Sequence, residues 1–488
     1  MSKAAELIEG LTEDAEFDSD GGFSLDREKA RQKMRQFQLS DPHRYVLLLV
    51  EVAAQLGATR IDFEIDSDDM IMRFDGRALS WEDLDELYTS LFVKHGTPGI
   101  VARRQLALAC NAVMALNPRF VRIQSLGSTG GVQAVLEPER PDVIERLEQG
   151  TTGTGLGPGE TWTTRIHVKE RFRPGLLVRF LADLGGTIAE EQLLRERCRH
   201  ASLPITLDGE RVSRGLPKHL VAGVAFSNDT LRGVAGYEPD IDRAKPSAVV
   251  LLSNGVEIST HDLTGSEPGL WFWVDASNFR KDVSQNDVVR NDPAYEAMLP
   301  AIGGARDAVL GSLARMWKAG TFTDLTRPSS DQVFLLLRRC FLRWADHEWL
   351  RSDAGELAVL ADLPYWRRLE GGWISPRAFV EEQDPERGMM LSRAGYDGVL
   401  PLGWGPVLFA REGLEELKAM HRIHPGTRDV TDQLAIEVPR ERARRQWRSR
   451  PHEPRLPRGA WRLPHDFGEG LEIDAPPDIE DSGEEKIR

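Results

Sequence analysis

The sequence contains no Cys-x-x-Cys pair, and its three cysteines, Cys110, Cys198 and Cys340, lie far apart. That spacing supplies neither a tetrahedral zinc site nor a disulfide framework. The longest uninterrupted apolar runs are about five residues, far short of the ~20 that a bilayer-spanning helix requires. The opening MSKAAELIEGLTEDAEF has no basic segment followed by an apolar core, so it does not read as a secretory signal. A reducing cytoplasm is the expected compartment, with no membrane partner. TTGTGLGPGET (Thr151–Thr161) is Gly-rich but lacks the Gly-Lys-Ser/Thr ending of a P-loop, and reads as a connecting segment. His347-Glu348 has no second His four residues on, which excludes the metalloprotease signature. No metal site is expected.

What is present describes a globular chain. Of its 488 residues 41% are hydrophobic and 28% charged, and that length accommodates roughly two to four domains with ordinary cores. The net charge of −15 is concentrated at the ends. Residues 1–28 carry nine acids against Lys3 and Arg27, and residues 464–488 carry nine against Lys486 and Arg488. Each end is therefore −7, and the body between them is nearly neutral. Acidic, aromatic-poor ends stay solvated rather than packing. Residues 431–463 hold nine arginines against four acids, with Trp447 and Trp461 among them. Such interleaving can bind single-stranded nucleic acid. The neutral body lacks the broader basic footprint of a nucleic-acid protein, so nucleic acid is not the expected partner.

One stretch organises the rest. Val46–Leu56 (VLLLVEVAAQL) is too continuously apolar for a surface helix and predicts a buried one. Ile61, Phe63 and Ile65 alternate with Asp62, Glu64 and Asp66, the period-2 pattern of a half-buried strand. MIMRF (Met70–Phe74) predicts a second strand, Asp75-Gly76 a turn, and Ser80–Phe92 another helix. Upstream, DREKARQKMRQFQL (Asp26–Leu39) reads as a charged helix, and Ser40-Asp41-Pro42 as the start signal of the next. Downstream, Ile100–Leu116 is helical, and Phe120–Ser125 and Val132–Leu136 read as paired strands.

LLLVEVAAQLGATRIDFEID resembles the first motif region of the GHKL superfamily, which includes gyrase, the large heat-shock chaperone, histidine kinases and MutL. The MutL-type phrase GATRID stands intact at Gly57–Asp62. MRFDGRALSWEDLDELYTSLFVKHGT is similar to the next motif region of the chaperone branch, with Lys94-His95-Gly96-Thr97 at the motif that leads into the lid. WTTRIHVKERF (Trp162–Phe172) resembles the strand that closes this domain. The resemblance implies an α/β (α+β) architecture. Its parts are an N-terminal Bergerat-type α/β sandwich over residues 29–172, a chaperone-middle-like α/β domain over 173–325 and an extra C-terminal α/β domain over 326–430. An acidic tail at 1–28 and an Arg/Pro-rich then acidic tail at 431–488 flank them. In the middle segment, RCRHASLPITL and WFWVDASNFRKDVSQND resemble chaperone elements, with Gln285 where an arginine reaches the γ-phosphate in active members. Arg280, Lys281 and Arg290 are nearby cations.

Two registers are open at the implied nucleotide site. Aligned on GATRID without gaps, Leu48 replaces the general-base Glu, Val52 the magnesium-binding Asn, Phe74 the adenine-reading Asp and Ala78 the second glycine of the turn. In the other register Glu51 is the catalytic carboxylate. Gln55, Asp75, Gly76, Lys94, Gly96 and Thr97 then form the ATP pocket, since Glu51 and Gln55 share a helix face. The distinction decides activity. ATP hydrolysis needs a carboxylate to handle water and an oxygen ligand for magnesium, and leucine and valine supply neither. The Gly-rich lid is also replaced by VARRQLALAC, where Arg103 and Arg104 read as helix-surface groups. The implied function is a chaperone-like, protein-binding scaffold whose ATP binding or hydrolysis is weakened or lost. Its alternatives are an active ATP/Mg-dependent ATPase of the same fold and a MutL-like nucleic-acid-associated protein. In the chaperone branch the N-terminal region can cross to a partner subunit, so a homodimer is among the implied states.

Overall fold

The computed structural model describes residues 41–92, 97–128, 130–147, 162–171, 188–239, 246–263, 268–282, 284–344, 355–382, 388–396, 400–401, 404, 407–409, 414–424 and 426–449. The acidic ends, the Asp26–Leu39 helix, Thr151–Thr161, Lys94 and Gly96 lie outside the described residues.

The chain enters the described region through a short 3-10 turn, Pro42–Arg44, where the Asp41 carboxylate accepts a hydrogen bond from the His43 N–H at 3.0 Å. This is the start signal expected of Asp-Pro. Helix α1 (Tyr45–Gln55) comes next, with every residue from Tyr45 to Ala53 buried. Strands β1 (Ile61–Ile65) and β2 (Asp69–Phe74) pair antiparallel, and the expected alternation holds: Ile61, Phe63 and Ile65 face the core. The expected helix over Ser80–Phe92 is shorter. It consists of α2 (Trp81–Asp85), held by a capping box between Ser80 and Asp83, and a 3-10 turn at Thr89–Phe92. Helix α3 (Pro98–Ala115) leads to β3 (Phe120–Gly127), β4 (Gly130–Leu136), β5 (Val143–Leu147) and β6 (Thr164–Lys169). Helix α4 (Ala189–Arg197) then precedes β7 (Ile205–Leu207) and β8 (Glu210–Arg211).

These strands form one eight-stranded sheet in the order β5-β4-β3-β6-β2-β1-β7-β8. All pairings are antiparallel except β1 with β7. The sheet therefore continues past residue 172, where the sequence suggests a boundary, because β7 adds beside β1. Helices α1 and α3 pack together over one face, and Phe63, Met72, Phe74, Ile123 and Ile166 meet them in a single core. The opposite face carries charge. Arg73 there bridges Asp62 at 3.1 Å and Glu64 at 2.6 Å. Charged residues at alternate strand positions are what a one-sided sandwich requires.

A second sheet contains β9 (Val221–Ser227), β10 (Arg232–Tyr237), β11 (Ser247–Ser253), β12 (Val256–Leu263) and β13 (Leu270–Asp275), ordered β12-β11-β13-β10-β9. The segment VVLLSNGVEIS (Val249–Ser259) spans β11 and the start of β12. Asn254 (φ 52°) and Gly255 (φ 81°) form a tight turn that folds β12 back on β11, the conformation Asn-Gly favours in hairpins. Every residue of β11 is buried, so this strand is covered on both faces. Helix α5 (Pro293–Lys318) lies against β9 and β10 and runs unbroken through Gly303-Gly304. Helix α6 (Ser330–Trp344), a 3-10 stretch at Gly355–Asp362 and a third sheet complete the described chain. That sheet comprises β14 (Trp366–Arg368), β15 (Trp373–Ile374), β16 (Met390–Ser392), β17 (Val407–Phe409) and β18 (Arg428–Asp429). Helices α7 (Pro376–Glu381), α8 (Leu414–Ile423) and α9 (Thr431–Ser449) accompany it. One apolar core runs from Ala222 to Ile423, through α5, α6 and the third sheet. Residues 431–449, expected from the sequence to be part of a tail, are helical, with Val438 and Glu441 buried and Trp447 76% exposed.

Candidate functional site

Helix α1 presents Leu48, Glu51, Val52 and Gln55 to different surroundings. Leu48 and Val52 lie inside the sandwich core. Gln55 is half-buried near the helix end. Glu51 faces the second sheet, where its carboxylate forms an ion pair with the Lys281 ammonium. Its second oxygen, Oε2, is buried without a hydrogen-bond partner among the described residues. The cavity around this pair is lined by Arg44, Leu47, Leu48, Val256, Glu257, Ile258 and Gln285 and has a volume of about 10 Å³. That is about the smallest space that holds one water.

Lys281 reaches Glu51 because the segment after β13 doubles back. Lys281 bridges to Val288, and the Asp282 carboxylate accepts hydrogen bonds from the backbone N–H groups of Asn286 (2.9 Å) and Asp287 (3.2 Å). Gln285 sits at the left-handed position of this loop (φ 59°). The Arg44 guanidinium donates to the Gln285 carbonyl at 3.2 Å and fastens the loop to the entry of α1. Nearby, Asp287 pairs with His261 at 2.7 Å and accepts from the Ser259 hydroxyl at 2.9 Å.

Asp75 belongs to a different cluster. Its carboxylate accepts hydrogen bonds from the Thr59 N–H (2.6 Å), the Thr59 hydroxyl (2.5 Å) and the Arg60 N–H (3.0 Å). Burial alone would raise its pKa; these hydrogen bonds outweigh that and hold the carboxyl below its ordinary value. Asp75 thus clamps the GATR corner. Gly76 completes the clamp: a Cβ there would lie 2.8 Å from the Leu56 carbonyl oxygen and 3.0 Å from the Ala58 nitrogen. The next residue, Arg77, donates its N–H to the Leu56 carbonyl at 2.7 Å. Phe74 is buried in the core.

Thr97 is the N-cap of α3, without a side-chain capping bond. Arg103 is engaged by Asp83 (3.6 Å) and Glu86 (2.9 Å), and Arg104 donates to the Ser90 carbonyl at 3.4 Å. Of the residues assigned to an ATP pocket, then, Asp75 and Gly76 meet at the end of α1, whereas Glu51 turns to the second sheet. Sequence reasoning named Lys281 as a nearby cation but not as the partner of Glu51. The two are 230 positions apart, and only a buried acid with no local counter-charge hints at a distant one.

Chemically, a carboxylate neutralised by an ammonium in a cavity of this size can join two layers. The cavity immediately around the pair is too small for a triphosphate, and a larger one of about 390 Å³ adjoins it at Arg44, Glu257 and Ile258. Asp66, Asp68 and Asp69 form an exposed acidic turn elsewhere, but Asp69 is already bound by His167 and Lys169.

No family model matches the sequence, and no curated protein matches it. Solved structures give partial likenesses. The B subunit of the DNA gyrase from Myxococcus xanthus is 14% identical, with 57% of this chain and 92% of that chain covered and a TM-score of 0.38. The ATPase domain of the mismatch repair endonuclease MutL from Aquifex aeolicus is 12% identical, covering 54% and 97%, with a TM-score of 0.29. The ATPase region of topoisomerase II from Saccharomyces cerevisiae is 9% identical, covering 57% and 84%, with a TM-score of 0.34. Gyrase and MutL are among the proteins whose motifs the sequence resembles. Identities and superpositions this low carry no statement of family or function for this chain.

Proposed function

We propose that this chain is a GHKL-type, chaperone-like scaffold that binds protein partners and does not turn over ATP. The observation that carries the reading is the Glu51–Lys281 ion pair. It occupies the one acid on α1 that could have served as a general base, in a cavity too small for substrate. The candidate acids Glu51 and Asp75 are both engaged within the chain, which counts against a magnesium–nucleotide complex here. Leu48 and Val52 offer no oxygen ligand, and Asp75 is consumed by the Thr59–Arg60 corner. The helix that would face a nucleotide instead ties the first sheet to the second.

The partner side of the reading is supported by exposed aromatic surface on the third sheet. Trp373 is 61% exposed and shares a shallow 210 Å³ cavity with Phe334, Leu335 and Phe409, flanked by Arg338 and Arg367. Aromatic residues and arginine are enriched where proteins meet proteins.

The test measures ATP turnover of the full chain with magnesium, beside suppression of aggregation of a heat-denatured client enzyme. The expected result is no turnover above background and suppression that is the same with and without nucleotide. ATP hydrolysis that Glu51→Ala abolishes while the fold persists would overturn the reading and restore the active-ATPase alternative.

A further inference from the structure

The end of α4, strand β8 and the loop from Val212 to His219 enclose a cavity of about 600 Å³, within the ordinary size range of small-molecule sites. Its wall is strongly cationic. Arg195, Arg199, Arg211, Arg214 and Lys218 line it against a single carboxylate, Glu210. Arg195 already engages Glu210 at 2.8 Å. Arg199 reaches Glu257 at 3.3 Å through one nitrogen and stays largely exposed. Arg214 and Lys218 have no carboxylate partner among the described residues.

This concentration of charge is built. The Val212 N–H donates to the Ile205 carbonyl at 2.9 Å, the Arg214 N–H donates to the Arg199 carbonyl at 2.8 Å, and the buried Ser213 hydroxyl accepts from the Ile205 N–H at 2.9 Å. The loop is pinned to β7 and to the end of α4, then turns at Gly215 (φ 78°) so that Arg214 and Lys218 stand at the same opening. His200 also lines the cavity, and its Nε2 is shielded from solvent without a hydrogen-bond partner. Holding like charges together costs free energy that a bound anion returns.

We propose that this cavity binds a small phosphorylated anion carrying two or more phosphates. Guanidinium groups present paired donors that match phosphate oxygens, and charge-assisted bonds of this kind are about twice as strong as neutral ones. Val212, Leu216 and Pro217 give part of the wall an apolar surface, which suits an organic group attached to the phosphates. The site is separate from the Glu51–Lys281 junction, so it stands or falls independently of the lost turnover proposed above.

Calorimetry on the full chain at about 150 mM salt tests this with inorganic tripolyphosphate, inorganic phosphate and a single-stranded oligonucleotide as probes. Saturable one-to-one binding of tripolyphosphate is expected, at least roughly tenfold tighter than phosphate. The double variant Arg214→Glu/Lys218→Glu should weaken it by at least roughly tenfold with unchanged thermal unfolding, since both side chains are exposed. Should charge reversal unfold the chain, Arg214→Gln/Lys218→Gln serves, with a smaller loss expected. Absence of saturable binding, equal affinity in the variants or tighter binding of the oligonucleotide would each overturn the assignment.

Discussion

Glu51 of α1 and Lys281 of the loop after β13 form an ion pair with side chains only 1% and 7% exposed, and it joins the first sheet's helical layer to the second sheet. An isolated charge at this depth is expensive. Breaking such a pair from one side typically costs about 3–5 kcal/mol, while replacing both partners with apolar groups is often neutral or better.

Lys281→Met and Glu51→Leu should therefore each destabilise the chain by about 3–5 kcal/mol, and the double variant Glu51→Leu/Lys281→Met should recover most of that loss. Urea unfolding of the wild type, both single variants and the double variant closes the thermodynamic cycle. Equal losses in the single and double variants would show that packing, and not the charge pair, holds the junction.

Asp75 and Gly76 lead to a second expectation at the opposite end of α1. A methyl group on Gly76 would press on backbone atoms of Leu56 and Ala58, which cannot swing aside. Gly76→Ala should cost about 1–3 kcal/mol, the range for overpacking a filled site. Asp75→Asn keeps the shape but loses the charge that the Thr59 and Arg60 donors favour. Its folded-state pKa lies below the ordinary Asp value, so the stabilising contribution is present above that value and is lost as pH falls through the folded pKa. The stability gap between wild type and Asp75→Asn should be open at neutral pH and shrink in acid. A gap constant down to the folded pKa would remove the charge from the explanation.

His43 carries a pH dependence of opposite sign. Its Nδ1 lies 2.7 Å from Glu190, and that hydrogen bond outweighs desolvation, raising the histidine pKa. A raised folded-state value means the contribution is complete below the ordinary histidine pKa and disappears as pH rises through the folded one. The melting temperature of His43→Ala should thus trail the wild type more at about pH 5.5 than at about pH 8.5. Parallel curves would mean that the pair contributes only contact.

Much of the first layer was legible in the sequence because the signals are local. The alternation of Ile61, Phe63 and Ile65 against Asp62 and Glu64 sets the strand and its buried face, and Asp41-Pro42 sets the start of the turn before α1. The site was less accessible. Asp75 looks like a ligand-reading acid when only its motif is seen, and its clamp on Thr59 and Arg60 depends on the corner's three-dimensional path. Glu51 sits in a helix pattern that places it equally well toward a nucleotide or toward another layer. The choice is made by Lys281, brought from 230 residues away by the turn of the loop at Gln285.

The same junction makes a prediction about thiol chemistry. Cys110, Cys198 and Cys340 are all buried free thiols. Burial, with the Glu51 charge adding to it, pushes the Cys198 thiol well above its ordinary pKa, and a protonated, enclosed thiol is a poor nucleophile. The native chain should react with an aromatic disulfide reagent only as fast as it opens. Cys198 ends α4, which packs against both α1 and β12, so its exposure reports separation of the two layers. Lys281→Ala should loosen that contact and speed modification of Cys198 selectively. Cys198 shares the first core with Cys110, but Cys110 sits on α3 and Cys340 on α6 in the second core rather than on the helix at the junction, so both should keep their wild-type rates. Mass spectrometry of time-quenched samples distinguishes the three sites. Acceleration of all three together would signal global unfolding, whereas acceleration of Cys198 alone identifies the Glu51–Lys281 pair as the tie between the layers.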